Sequence, residues 1–294
     1  MDKYNVYQDM SRRTGGEIYL GIVGPVRTGK STFIKRFMEL VVIPEISDDN
    51  EKVRTIDELP QSADGKTIMT TEPKFIPKEA AVIHFSNQET GKIRLIDCVG
   101  YLVPEAVGAI EEEKERMVKT PWSEEEIPFS KAAEIGTSKV IREHSNVGLI
   151  ITTDGSFGDI AAANFEEALQ KTVMECEKAG KPFLILVNTS RPDSQEAIQF
   201  TKRLEAQYGK TVMAVNCKTM DREDVFRIME QLLADFPITR LNFLLPKWVE
   251  FLQPDNWLKQ DLIEKCRNVI QKVHTMKDIQ DDSIQMQAPY IKDV

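Results

Sequence analysis

The chain has 294 residues, 41% of them hydrophobic, which is enough for one large domain or two small ones around a buried core. Its formal net charge of −9 excludes a bare nucleic-acid surface, because phosphate contacts need clustered Lys and Arg. Cys98, Cys176, Cys217 and Cys266 have neither C-x-x-C spacing nor a paired pattern, so no zinc site or disulfide framework is expected and reduced thiols in a cytosolic protein fit best.

Residues 1–16 are polar and read as a lead-in to the first strand, Glu17 to Gly24. The N-terminus lacks a signal-peptide core, and no apolar run approaches the roughly 18 residues that span a bilayer. Next comes Gly24-Pro25-Val26-Arg27-Thr28-Gly29-Lys30-Ser31, with Thr32 opening a helix-like run that reaches Val42 and is stopped by Pro44. Strand, Gly-rich loop and helix in that order form a phosphate-binding loop. Its glycines let successive N–H groups face phosphate oxygens, Lys30 reaches the β- and γ-phosphates, and Ser31 ligates Mg²⁺. The helix adds the positive end of its dipole.

From Pro44 to Pro73 the composition is polar, and a loop of that length inside a domain points to function or disorder. It contains Thr70 and Thr71, placed where a switch loop presents a hydroxyl and a carbonyl to Mg²⁺ and the γ-phosphate; which of the two binds metal is left open. Strands at Ala81 to Phe85 and Ile93 to Asp97 are joined by a short turn-like stretch, and are therefore expected to be antiparallel. The second ends in Asp97-Cys98-Val99-Gly100. An Asp at the end of an apolar strand suits the metal shell, and Gly100 lets its N–H turn toward a γ-phosphate.

Tyr101 to Pro128 reads as an acidic insertion with a solvated face. Helix Phe129 to His144, strand Val147 to Thr153, helix Asn164 to Ala179, strand Pro182 to Asn188, helix Ser194 to Tyr208, strand Thr211 to Asn216 and helix Arg222 to Leu233 then alternate. The expected fold is α/β: a three-layer P-loop NTPase, its sheet mainly parallel with one antiparallel pair, as in switch GTPases. The domain is expected over 17–237. A helical extension over 238–294 follows, with Leu258, Leu262, Ile263, Cys266 and Ile270 on one face of a helix from Trp257 to Val273.

Guanine-specific switch proteins carry N-K-x-D after the strand that here ends at Asn188. This chain has Asn188-Thr189-Ser190-Arg191, and Asp193 comes two residues late, so ATP is favoured. Asn188 and Cys217, the latter in the Asn216-Cys217-Lys218 loop, are expected near the purine. Tyr101 stands where a Gln commonly orients the attacking water, which favours slow turnover coupled to a conformational change.

With these residues in hand the chain resembles the stage IV sporulation protein A family of endospore-forming bacteria. The resemblance rests on Gly21 through Lys35, Asp57 through Ala63, Gly65 through Phe75 and Asp97 through Gly100. It extends through Thr120-Pro121-Trp122, Ala133 through Thr137, Ile151 through Gly155 and Leu245 through Val249. The family implies ATP and Mg²⁺ as ligands, with Lys30, Thr70, Thr71 and Asp97 as functional positions. It also implies hydrolysis that permits polymerisation into a coat layer on the forespore surface, in the mother-cell cytoplasm. Family members continue past this chain's last residue with a portion tied to polymer formation, to other coat proteins and to a small amphipathic membrane-surface peptide. Membrane targeting is therefore not expected of this chain by itself. The alternatives from the residues alone are a GTP-driven switch with a partner activator and a scaffold that binds nucleotide without turnover.

Overall fold

The computed structural model of the chain describes residues 17–60, 72–84, 90–104, 110–111, 114–234, 238, 241–275 and 278. They fall in two compact units, one ending at Leu232 and the other starting at Leu233.

The first unit opens with strand β1 (Glu17–Val23) and helix α1 (Lys30–Phe37). Phe33, Ile34 and Phe37 are fully buried on one face of α1, the i, i+1, i+4 pattern of a helix laid on a sheet. The helix widens into a π-turn at Met38–Val42 and ends in a 3₁₀ turn at Ile43–Glu45, where Pro44 stops it. The polar stretch read as a loop then yields helix α2 (Asp49–Glu58) instead. Its start is set by the Asp48 carboxylate, which accepts from the Glu51 N–H at 2.8 Å. Only Thr55 is buried on it, so α2 lacks the apolar stripe that would have marked it.

Strands β2 (Lys74–His84) and β3 (Thr90–Asp97) are antiparallel, as their short connection requires, with a register shift between Ile76 and Ala81. The sequence reading placed no strands in the acidic insertion. Its described residues form β4 (Ile110–Glu111) with β5 (Lys114–Glu115), and β6 (Met117–Thr120) with β7 (Ser123–Pro128), both pairs antiparallel. Glu124, Glu125 and Glu126 stand exposed on β7.

Helix α3 (Phe129–Lys139) runs into a second π-turn, Val140–His144. After it come β8 (Val147–Thr153), a 3₁₀ turn (Ala162–Phe165) and α4 (Glu166–Ala179). Then follow β9 (Phe183–Asn188), α5 (Gln195–Tyr208), β10 (Val212–Val215) and α6 (Arg222–Ala234). Every residue of β8 and β9 is buried, the signature of strands covered on both faces. The sheet order is β10-β9-β8-β1-β3-β2, parallel throughout except for β2 at the edge. The fold is therefore a P-loop NTPase-type α/β sheet, and its order sets the carboxyl ends of β1 and β3 side by side.

In the second unit a 3₁₀ turn (Lys247–Val249) precedes α7 (Trp257–Lys272), capped by Asn256. Its buried line differs from the expected one. Leu262 and Val269 are buried, and so is Val273 just past the end, whereas Ile263 and Ile270 are 41% and 52% exposed. The expected face spanned too wide an arc, and the real seam follows spacings of seven and four residues.

Candidate nucleotide site

The loop between β1 and α1 is held against its neighbours by close backbone approach. Gly24 has φ 128°, and a Cβ there would lie 2.3 Å from the Ile151 carbonyl oxygen on β8. Gly29 has φ 94°, and its Cβ would lie 2.3 Å from Asn188 Nδ2. Both positions demand glycine for space as well as for conformation. Arg27 takes φ 63° at the exposed crest of the loop. Thr28 is buried and its hydroxyl donates to the Pro25 carbonyl at 3.0 Å.

Lys30 is 5% exposed and donates to the carbonyls of Pro25 at 2.5 Å and Gly24 at 3.3 Å. Burial lowers its pKa, while the nearby Cys98 and Asp97 oppose that shift. Ser31 and Thr32 follow, both half-buried on the first turn of α1. The Ser31 hydroxyl donates to Asp97 Oδ2 at 3.4 Å.

Parallel pairing sets Asp97 opposite Ile22, so the carboxylate emerges next to the start of the loop. Its Oδ1 is buried and has no hydrogen-bond partner among the described residues. Burial pushes the Asp97 carboxyl up to about 6, against the pull of Lys30 and Ser31. Gly100 (φ 92°) sits so close to the loop that a Cβ would come within 2.0 Å of the Gly24 carbonyl oxygen and 2.7 Å of Lys30 Nζ. The structure thus brings Gly24, Lys30, Ser31, Asp97 and Gly100 together. Thr70 and Thr71 lie outside the described residues.

Asn188 acts as a strut. Its Nδ2 donates to the Thr28 carbonyl at 3.0 Å, and its Oδ1 accepts from the Cys217 N–H at 3.0 Å. Cys217 meets it through the backbone, with its thiol fully buried and pushed up to about 12 by burial. A second set of contacts escaped the sequence reading. Thr189 donates from Oγ1 to Asp154 Oδ2 at 2.6 Å, Asp154 Oδ1 accepts from the Ser156 N–H at 2.9 Å, and Ser156 Oγ accepts from the Ser190 N–H at 2.8 Å. These bonds clamp the loop after β9 onto the loop after β8. The one visible signal was a polar Asp154-Gly155-Ser156 at the end of an apolar strand. Arg191 stands exposed just beyond the clamp.

The loop after β1 and the buried Asp97 carboxylate beside it make up the candidate nucleotide site. Residues 1–237 match the family model described as the ATPase domain of stage IV sporulation protein A, and residues 238–294 match that of its middle domain. The chain belongs to the stage IV sporulation protein A family. The relative from Bacillus subtilis (strain 168) is 47% identical over 279 residues, covering 95% of this chain and 57% of the relative. That from Bacillus anthracis is 46% identical with the same coverage, and that from Clostridioides difficile (strain 630) is 45% identical over 94% of this chain and 56% of its own length. The chain thus spans a little over half the length of these family members. Among solved structures, a crystal structure of an SsGBP variant aligns with a TM-score of 0.41 and 14% identity, over 77% of this chain and 60% of that one.

Proposed function

We propose that the chain binds and hydrolyses ATP in a Mg²⁺-dependent way, and that turnover drives a conformational change and self-assembly of the spore coat basement layer. The observation that carries this reading is the Asp97 carboxylate, buried with an unpartnered Oδ1 next to Ser31 and Lys30. A hydroxyl and a carboxylate are the hard oxygen ligands that suit Mg²⁺, and an orphaned buried acceptor is what such a cation satisfies. Ser31 and Asp97 would hold the ion, with Thr70 or Thr71 as a further oxygen donor; when bound it neutralises charge on the phosphates. Lys30 grips the terminal phosphates, the loop's N–H groups orient them, and Gly100 offers its N–H to the γ-phosphate.

ATP is favoured over GTP by two features of the base-side loops. Thr189 occupies the Lys position of N-K-x-D and is spent on Asp154. Arg191 stands where guanine needs an acceptor, and the late Asp193 is exposed. Among the described residues no helix is long and apolar enough to cross a membrane. Action at the forespore surface, in the mother-cell cytoplasm, follows from the family, with polymer formation, other coat proteins and a small amphipathic membrane-surface peptide as partners reached through the family's C-terminal portion.

The test is phosphate release from ATP and GTP, with and without Mg²⁺, for the wild type and Lys30→Ala, followed together with light scattering. ATP-selective, Mg²⁺-dependent release that disappears in Lys30→Ala is expected, with weak scattering. Equal release by the two proteins would sink the site assignment.

A further inference from the structure

Arg94, on β3, carries a charge that the fold leaves unmatched. Parallel pairing puts it opposite Tyr19 on β1, and its guanidinium lies 5.4 Å from the centre of the Tyr19 ring and 5.9 Å from that of Phe75 on β2. Among the described residues its buried Nε has no hydrogen-bond partner and the guanidinium has no ion pair. Lys92, two residues earlier and so on the same face, is exposed, with Val82 opposite it on β2 also 46% exposed. Glu17, opposite Lys92 on β1, is engaged by the Tyr19 hydroxyl, which donates to it at 2.5 Å. His144, the last residue of the second π-turn, stands edge-on to Phe75 with ring centres 5.5 Å apart. A cationic shelf thus lies where α3 and its π-turn end.

The start of the same helix carries the opposite charge. There the β6–β7 hairpin is fastened to α3: the Phe129 N–H donates to the Arg116 carbonyl at 2.8 Å, and the Arg116 guanidinium lies 5.5 Å from the centre of the Phe129 ring. Glu124, Glu125 and Glu126 stand exposed on β7 and form no ion pair among the described residues, not even with the exposed Lys119 on β6. The helical stretch from Phe129 to His144 holds the two patches roughly 24 Å apart at 1.5 Å per residue. They cannot pair within one chain.

We propose that the shelf of Lys92 and Arg94 docks Glu124, Glu125 and Glu126 of a second copy of this chain, as a head-to-tail contact of the self-assembly proposed above, on which it rests. The ring faces fix the guanidinium before a partner arrives, so a carboxylate meets a fork that loses little freedom on pairing. Because the two patches differ and sit at opposite ends of one helix, each contact leaves a shelf and a hairpin free for further copies. That is the heterologous geometry of an open filament.

Sedimentation velocity across a concentration series, with and without ATP, tests the contact. Arg94→Glu, and separately the hairpin variant Glu124→Lys with Glu125→Lys and Glu126→Lys, each set like charges against each other, and each alone should weaken self-association about a hundredfold. Mixed in equal amounts they present complementary patches again and should associate as the wild type does. Added salt should weaken the wild-type contact, since the charges lie at the surface. If Arg94→Glu does not fold, the exposed Lys92→Glu takes its place in the mixture. Variants that associate like the wild type, or a mixture that fails to recover, overturn the contact and leave self-assembly standing. A wild type that stays monomeric throughout removes both. Loss of phosphatidylglycerol-vesicle binding in Arg94→Glu with unchanged self-association would give the shelf to a lipid surface and overturn the proposal.

Discussion

Asp97 is the least comfortable residue of the site. Buried next to Lys30 and Ser31, its carboxyl has a pKa near 6 where an ordinary aspartate has 3.8. Between those values the folded chain holds a proton that the unfolded chain releases. In the absence of Mg²⁺, stability therefore falls as pH rises through this window, and at roughly 1.4 kcal/mol per pH unit the loss is about 3 kcal/mol. Asp97→Asn should remove that loss. Urea unfolding at pH 4 and pH 7 in a chelator, which brackets most of the window, checks it, and an identical pH dependence in the wild type and the variant would contradict the burial argument. Lys30, Ser31 and Asp97 were legible because each sits at a fixed step from a glycine or a strand end, where spacing alone carries chemistry. The bond from Thr189 to Asp154 joins residues 35 apart through two loops, and no local pattern announces such a pairing. Asn188 was legible as a position but not as a strut, for the same reason.

At the level of elements, β8 and β9 could be read directly, because seven and six consecutive buried residues leave an unbroken apolar run. Helix α2 was missed although its cap was in view, Asp48 followed three residues later by Glu51. A cap without an apolar stripe is a weak sign, since most helix stability comes from a packed face. That makes the cap matter more here. Asp48→Ala should cost about 1 kcal/mol, felt locally, with hydrogen exchange of residues 51–58 accelerated about fivefold and the rest of the sheet unchanged. No change in exchange over α2 would mean that its start is fixed by something other than the Asp48 carboxylate. The seam of α7 was misread because Leu258, Ile263 and Ile270 satisfy a helical period as well as Val269 and Val273 do. Sequence periodicity cannot tell which of two overlapping arcs meets a neighbour.

For the molecule as a whole, the four cysteines report on integrity. All are free; Cys98, Cys176 and Cys217 are buried and Cys266 is half-buried. Burial pushes the first three thiols up to about 11, 12 and 12, which leaves almost no thiolate at neutral pH. An aromatic disulfide reagent at pH 8 should label a single thiol, Cys266, in the native protein, and all four in denaturant. Rapid native labelling of more than one thiol would show a looser sheet than described. The strand order β10-β9-β8-β1-β3-β2 has one more implication. The groups proposed to hold phosphate and metal come from β1, α1 and β3, whereas the loops proposed to meet a base leave β8, β9 and β10, on the other half. Across the divide run the Asn188 amide and the Gly24 backbone packed on Ile151. Heritable change in nucleotide preference can therefore accumulate on one side of the sheet and leave residues 24–31 without a scar.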